Sequence, residues 1–167
     1  MLDGIKSILL PVQIHEETAL KGAEIARIFV ERGPVTMHLL HIVSALPVLG
    51  QTHVVENLDA NLEGKAEHDA LEKLKAIAQE YLPGVKCQFH ARGAFVNEVA
   101  TAITTTAKDL DVDLIIMKTH GRHGLARLIL GSVTEEVVRS APCMVTTLTS
   151  EALDRAIRST SLVAAVA

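Results

Sequence analysis

Apolar runs alternate along this chain with stretches that carry apolar residues at helical spacing. Three runs, Ile5–Val12, Val35–Val43 and Val112–Met117, are nearly continuous in apolar character, which is typical of parallel strands covered on both faces. Val85–Ala91 instead alternates strictly between apolar and polar side chains, which indicates a half-exposed strand at a sheet edge. Cys143–Leu148, after Pro142, completes a prediction of five strands.

The stretches between these strands predict helices and loops. Ser44–Leu58 lacks a clean period and is predicted as a long loop, and Gly93 is expected to open another. The strand–helix alternation predicts an α/β fold, a parallel sheet with helices on both faces. We expect one domain over residues 1–150, followed by a tail, 151–167, that is either a short helix or disordered. The predicted helices are Glu16–Glu31, Asp59–Leu82, Val96–Leu110 and Val133–Ser140.

Composition narrows the classes of function. The chain has 167 residues, 49% of them hydrophobic and 22% charged, as expected of a soluble globular protein. The formal net charge of -4 and the 2% of aromatic residues argue against nucleic acid as a partner, because neither general attraction to phosphates nor base stacking is available. No signal peptide or membrane span is evident, so a cytoplasmic location without membrane contact is expected.

Several residues invite chemical interpretations that the sequence does not favour. Cys87 and Cys143 are too few for a disulfide framework and lack CxxC spacing, so both are expected to be small buried side chains. His38 and His41 lie three apart in a predicted strand and therefore face opposite sides, as packing or network residues. The methionines at 37, 117 and 144 lie in predicted strands and are expected in the core.

The richest stretch is MKTHGRHGLARLILGSVTEE, from Met117 to Glu136, which follows the fourth predicted strand. In open parallel sheets, ligands bind beyond the carboxyl ends of the strands, where the strand order reverses. This stretch and the loop after the first strand, Pro11–His15, are therefore the candidate ligand loops. Neither GxxxxGK[ST] nor GxGxxG is present, so the two common phosphate-loop motifs are excluded.

The glycines of this stretch suggest an anion site. Gly121 and Gly124 let the chain turn sharply, and Gly131-Ser132 begins a predicted helix whose first N–H groups favour an anion. Ser132 and Glu135 have the S-x-x-E spacing of a capping box. The residues alone fit a phosphate site and an ordinary capped loop equally well.

Other side chains of the same stretch remain open to two interpretations. His120 and His123 have HxxH spacing, but no third ligand is apparent and Arg122 lies between them, which disfavours a metal. Arg122 and Arg127 are either phosphate clamps or solvated loop charges. Ser132 is better explained as a helix cap and phosphate donor than as a nucleophile, and no catalytic constellation is present.

The stretch DLIIMKTHGRHGLARLILGSVTEEVVRSAPCMVTTL resembles the C-terminal signature of the universal stress protein (UspA-like) family. The family's hallmark is Gly, two residues, Gly, nine residues, then Gly-Ser or Gly-Thr. SILLPVQIHEETALKGAEIA, HLLHIV and ARGAFVNEVATAI are similar to earlier elements of the family, so the resemblance covers roughly residues 4–148.

The resemblance implies a flavodoxin-like, Rossmann-like sheet of order 3-2-1-4-5 and a homodimer through the fifth strand, Cys143–Leu148. Many members bind ATP or AMP, with adenine near the first two strands and phosphates on the glycine loop. A dimeric stress-response regulator is then expected, with or without Mg²⁺ on its nucleotide and with at most slow ATP hydrolysis. The residues expected to bind the nucleotide are Pro11, Val12, Gln13, Ile42, Met117, Lys118, His120, Gly121, Arg122, Gly124, Gly131, Ser132, Val133 and Thr134.

Two departures from the family pattern keep an alternative open. Lys118 stands where the family has its first glycine, and Gln13 stands where nucleotide-binding members usually have Asp. Both favour a member without nucleotide that acts through dimerisation and partner contacts, whereas Gly121 and Gly131-Ser132 oppose it. A flavin-binding protein or enzyme of the same fold is disfavoured, because no aromatic residue is placed to stack on the flavin ring.

Overall fold

The structure, a computed structural model, describes residues 4–14, 34–45, 56–118 and 131–149. The strands in these ranges form one parallel sheet in the order β3-β2-β1-β4-β5. The predicted parallel sheet, its strand order and the edge position of β3 are therefore confirmed. The strands are β1 Ser7–Pro11, β2 Thr36–Ala45, β3 Lys86–Phe95, β4 Leu114–Lys118 and β5 Met144–Leu148.

Three α-helices lie within the described ranges: α1 is Glu56–Tyr81, α2 is Val99–Asp109 and α3 is Ser132–Ser140. A single turn of 3₁₀-helix, Val96–Glu98, precedes α2. The predicted helix 16–31 and the tail 151–167 lie outside the described residues. No helix in the described part of the chain is long and apolar enough to cross a membrane.

The helices cover both faces of the sheet. On what we name the first face, Leu74 of α1 packs against Ile8 and Leu10 of β1. On the second face, Ile103 of α2 and Val137 of α3 share a core with strand residues that include Leu9 and Ile115. Since successive residues of a strand point to opposite faces, β1 needs apolar side chains throughout, which explains its continuous apolar run.

The predicted ends of β2 and β3 were wrong. β3 does not stop at Ala91 but continues through Gly93 to Phe95, and β2 continues to Ala45, its register partner. The backbone N–H of Gly93 donates to the Glu67 carboxylate of α1 at 3.0 Å. The local sequence around Gly93 is typical of a loop. Pairing with β2 nevertheless holds this segment in an extended conformation. The predicted 44–58 loop is wrong at both ends, because Ser44 and Ala45 belong to β2 and α1 begins at Glu56. Residues 46–55 lie outside the described residues.

The expectation of a core position is right for Met37 and Met117, which are buried, and wrong for Met144, which is 56% exposed. Met144 begins β5, the second edge strand, which has no neighbour on its outer side among the described residues. The two cysteines are free and half-buried, with Cys87 packed on the first-face core and Cys143 on the second. Burial raises the pKa of both thiols, which keeps them protonated.

At the amino-terminal end of the sheet, Asp113, just before β4, is hydrogen-bonded to the start of β1. Its Oδ2 atom accepts hydrogen bonds from the backbone N–H groups of Lys6 at 2.8 Å and Ser7 at 2.9 Å. The N–H of Asp113 in turn donates to the carbonyl of Ser7 at 2.9 Å. Asp113 thus joins the start of β1 to the start of β4 through hydrogen bonds. The strand β4 itself begins at the next residue, Leu114.

Candidate functional site at the carboxyl ends of the strands

The strand order reverses between β1 and β4 at the centre of the sheet. The chain runs from β1 outward through β2 to β3 on one side, and from β4 outward to β5 on the other. At such a reversal the connections leave in opposite directions and a crevice opens beyond the carboxyl ends of the two central strands. Pro11 and Lys118, which end β1 and β4, are therefore brought to the same edge of the sheet.

The loop after β1 is fixed to β2 by two hydrogen bonds. The Val12 N–H donates to the Leu40 carbonyl at 2.7 Å, and His41 Nδ1 lies 2.8 Å from the Val12 carbonyl. Because a carbonyl can only accept, His41 is the donor and carries its proton on Nδ1. Val12 is buried, whereas Gln13 is exposed at the site's surface. The backbone on which Gln13 stands is thereby held in place.

His41 contacts the candidate site, but it was not among the predicted site residues. Its position in an apolar strand suggested only a packing or network role, and the contact to Val12 spans 29 residues of sequence. One signal in the sequence could have indicated it: His41 directly precedes Ile42, which is a predicted site residue. The predicted network role agrees with the contacts of both histidines, since His38 lies 3.1 Å from His90 and His41 lies 2.8 Å from the Val12 carbonyl.

The amino terminus of α3 differs from its prediction. Ser132 does not cap the helix, because it is already the first helical residue, and Gly131 occupies the cap position without any side-chain cap bond. Glu135 does not reach back either: its carboxylate accepts a hydrogen bond from Arg139 at 2.8 Å. The predicted capping box was therefore wrong, and the S-x-x-E spacing is one residue out of register with the helix start.

With respect to the described residues, this arrangement leaves backbone donors available in the first turn of α3. The first backbone bond of the helix runs from the Glu135 N–H to the Gly131 carbonyl at 2.9 Å. The N–H groups of Ser132, Val133 and Thr134 precede that bond and have no carbonyl within the helix to pair with. Together with the helix dipole, they form a local positive end suited to an anion.

The described residues leave the space in front of this helix end open. A Cβ added to Gly131 would meet no heavy atom of the described residues within 4 Å. The φ of Gly131 is −58°, a value that any residue adopts. Neither backbone conformation nor packing among the described residues requires glycine here. A ligand approaching the first-turn amides of α3 would, by contrast, need this space.

The remaining predicted residues divide between the two faces of the sheet. Ile42, Met117 and Val133 share the second-face core, so three elements of the site are brought together there. Lys118 follows Met117 along β4 and lies on the first face with Leu114 and Ile116. The sheet therefore separates the base of the Lys118 side chain from the amino terminus of α3.

Part of the predicted site lies outside the described residues: His120, Gly121, Arg122 and Gly124, together with His123 and Arg127. Over the described part of the chain, no group of three or more His, Cys, Asp or Glu side chains is arranged to hold a metal ion. The described half of the site consists of the fixed β1 loop, an apolar floor and a helix amino terminus.

Comparison with known proteins identifies a family. The model of the Universal stress protein family matches residues 4–148. Universal stress protein MJ0531 of Methanocaldococcus jannaschii is 30% identical over 142 residues, which are 84% of this chain and 79% of that protein. Universal stress protein MJ0577 of the same organism is 30% identical over 148 residues, 81% of this chain and 90% of that protein.

Solved structures agree with the fold. The structure of MJ0577 has a TM-score of 0.68 at 28% identity and covers 87% of this chain and 96% of its own. Two more distant neighbours share the fold and were solved with nucleotides. One is the Archaeoglobus fulgidus universal stress protein in complex with dAMP, with a TM-score of 0.52 at 15% identity, 86% coverage of this chain and 96% of its own. The other is a universal stress protein in complex with cAMP, with a TM-score of 0.55 at 13% identity. It covers 87% of this chain and 97% of its own.

Proposed function

Because this chain belongs to the universal stress protein family, we propose that it binds an adenine nucleotide, ATP or AMP, at the carboxyl ends of β1 and β4. The observation that carries this proposal is the first turn of α3. Its N-cap residue, Gly131, makes no side-chain cap bond, and no heavy atom of the described residues lies within 4 Å of a Cβ added there. A helix that begins in this way at the centre of a parallel sheet is suited to a phosphate.

In this proposal the phosphates lie on α3. The backbone N–H groups of Ser132, Val133 and Thr134 donate to phosphate oxygens, and the helix dipole stabilises their negative charge. The Ser132 hydroxyl adds a donor, because it is exposed and makes no cap bond. Gly131 gives the phosphates room. Gly121 completes the cradle on the strength of the family's sequence pattern, and His120, Arg122 and Gly124 beside it are proposed from their residue types.

The base and ribose lie over the β1 loop. Pro11 and Val12 supply a backbone that Leu40 and His41 hold in place, and the Gln13 amide donates to or accepts from the adenine or ribose. Ile42 and Met117 form the apolar floor under the base. Lys118 reaches the crevice from the first face, where its ammonium attracts the phosphates as a point charge.

The nucleotide complexes of two fold neighbours support this proposal, since they were solved with adenine nucleotides in the same fold. The proposed role is binding rather than catalysis, with at most slow ATP hydrolysis, in a cytoplasmic stress-response regulator. Mg²⁺, where present, would accompany the nucleotide phosphates, as hard cations do.

The direct experiment is to purify the protein, denature it and separate any released nucleotide by chromatography, followed by calorimetric titration of the emptied protein with ATP and AMP. We expect saturable binding below about 1 mM, which corresponds to at least ~4 kcal/mol. Absence of released nucleotide together with absence of heat on titration to that concentration would sink the proposal.

A second function is favoured by the apolar surface around β5. Met144, which begins the edge strand β5, is 56% exposed, and Val138 of α3, the helix that precedes β5, is 48% exposed. We propose that β5 forms a homodimer, which would serve signalling with or without nucleotide. Met144→Asp should give a monomer by light scattering, while Met144→Gln, which adds no charge, should weaken the dimer less. A folded Met144→Asp variant that stays fully dimeric excludes this interface.

A further inference from the structure

Two histidines face each other across the outer strand pair of the sheet. His38 Nδ1 of β2 lies 3.1 Å from His90 Nε2 of β3, and the rings stack with centroids 5.3 Å apart at 26°. His38 is only 6% exposed. One imidazole must donate and the other accept, so the contact requires at least one neutral ring.

The charged neighbours of this pair are mostly positive. On β3, Lys86 and Arg92 both lie close enough to affect the imidazoles, and on α2 the Asp109 carboxylate lies 3.1 Å from the Arg92 guanidinium. The neighbouring strand β1 contributes uncharged Leu9 beside His38. Among the described residues, Asp109 is the acidic group that this cluster contains, and it is already paired with Arg92.

Solvent reaches the pair from the edge of the sheet. His90 lines a cleft of about 290 Å³ together with Arg92, Thr106 and Asp109. A proton can therefore arrive at His90 without unfolding of the core, and then at His38 behind it. The strand that carries His90 is an edge strand, held by β2 on one side only among the described elements.

We propose that the His38–His90 pair makes β3 an acid-sensitive edge: in acid each imidazole takes up a proton from solvent, the hydrogen bond between them is lost, and β3 loosens from β2. Two cations at this distance, beside Lys86 and Arg92, repel each other in a half-buried setting. Because β3 continues to Phe95, paired with Ala45 at the ligand end of the sheet, the loosening extends toward the site. The inference does not depend on nucleotide binding.

The direction of the effect follows from linkage. Burial lowers the pKa of His38, and the charges of His90 and Lys86 lower it further. Burial also lowers the pKa of His90, with Arg92 adding to the effect. The unfolded chain therefore binds more protons than the folded one as the pH falls below about 6.5. Stability is complete above that pH and is lost as the pH falls toward the folded-state values.

The test is an NMR titration of the histidine rings combined with hydrogen exchange of the strand amides. We expect the His38 and His90 rings to titrate below about pH 6.5, each at a pH that depends on the other. The protection factors of β3 amides, corrected for intrinsic exchange, should fall at least ~10-fold between about pH 7.5 and about pH 5, because each pH unit between folded and unfolded pKa values changes the equilibrium about tenfold. Amides of the central strand β4 should lose less.

Matched variants test whether the acid-induced loss of protection in β3 depends on the His38–His90 pair. His90→Gln keeps a hydrogen-bonding side chain but cannot be protonated, so the His38 pKa should rise and the extra loss of protection at acidic pH should shrink to the part that the burial of His38 alone causes. His68→Gln, which removes an exposed histidine of α1, should leave the wild-type behaviour unchanged. The same acid-induced loss in wild type and His90→Gln would overturn the proposal. If His90→Gln does not fold, the wild-type titration decides, and two rings titrating independently near about pH 6.5 would overturn it equally.

Discussion

The two ends of the sheet differ in whether a side chain accepts hydrogen bonds from their backbone N–H groups. At the amino-terminal end, the chain satisfies its own donors: the Asp113 carboxylate accepts from Lys6 and Ser7. At the carboxyl end, the first turn of α3 begins at Gly131 without a side-chain cap. Unpaired N–H groups are costly only when they are removed from water, and Ser132 at the start of α3 is exposed. The difference between the two ends is the basis of the proposal that an external acceptor binds at the carboxyl end.

The comparison also separates stability from function. Asp113 joins β1 to β4 and contributes to the fold, whereas Gly131 contributes neither strain relief nor packing among the described residues. Substitutions at the two ends should therefore change different measured quantities, stability at one end and ligand affinity at the other. A change at the amino-terminal end should lower the free energy of unfolding, and a change at Gly131 should lower the affinity for the ligand.

The largest effect is expected from Gly131→Val. A branched side chain would fill the open space before α3 that the phosphates are proposed to occupy. We expect the affinity for ATP and AMP in calorimetry to fall at least ~100-fold, about 2.7 kcal/mol, because the first-turn amides become inaccessible. The melting temperature should change little, since the backbone conformation suits any residue.

The matched control is Gly4→Val, at the opposite end of the sheet. A Cβ at Gly4 also meets nothing within 4 Å among the described residues, so the two substitutions add the same side chain to equally open positions. We expect Gly4→Val to leave the affinity unchanged. Equal affinities for the two variants would show that the nucleotide does not approach Gly131.

The next effect is expected from Asp113→Ala, which leaves the N–H groups of Lys6 and Ser7 without their acceptor. Loss of these charge-assisted bonds at a partly exposed site should lower the free energy of unfolding by about 2 kcal/mol. Denaturant unfolding measures this directly. Asp113→Asn, whose side-chain oxygen can accept both bonds without charge, should lose roughly half as much. Nucleotide affinity should stay unchanged in both variants, and a loss of affinity equal to that of Gly131→Val would contradict the separation of the two ends.

The smallest effect is expected from His41→Phe, which keeps a ring in β2 but removes the donor to the Val12 carbonyl. The β1 loop should become less ordered, and the affinity should fall about fivefold, or ~1 kcal/mol. His41→Gln retains a donor and should lose less. Calorimetry on the two variants distinguishes the hydrogen bond from the packing of the ring, and an equal loss in both would assign the effect to packing.

Sequence patterns predicted the bounds of the central strands and of β5 better than those of the edge strand β3, and they misjudged the burial of Met144 in β5. β1 and β4 are covered on both faces, so burial dictates nearly every residue, and their apolar runs indicated the strands to within two residues at each end. At the edges other forces decide. β3 continues through Gly93 because β2 pairs with it and Glu67 holds its amide, and Met144 is exposed because β5 has no outer neighbour among the described residues.

The candidate site was proposed from local sequence alone, and its residues stay a prediction. Gly131, Ser132 and the loop after β1 follow from the family's pattern and from the rule for ligand positions in parallel sheets. The S-x-x-E spacing misplaced the helix cap by one residue, because Glu135 pairs with Arg139 instead. The contacts of His41 with Val12 and of His38 with His90 join residues 29 and 52 positions apart, which no local pattern encodes.

The most direct test of the central claim follows backbone amide signals by NMR while ATP or AMP is added. Nucleotide binding at the carboxyl ends predicts saturable shifts of the Ser132, Val133 and Thr134 amides, which are proposed to donate to the phosphates. The amides of Lys6 and Ser7, already bonded to Asp113, serve as internal controls and should not move. Unchanged α3 amide signals at about 1 mM nucleotide, a concentration that detects even weak complexes, would contradict the account.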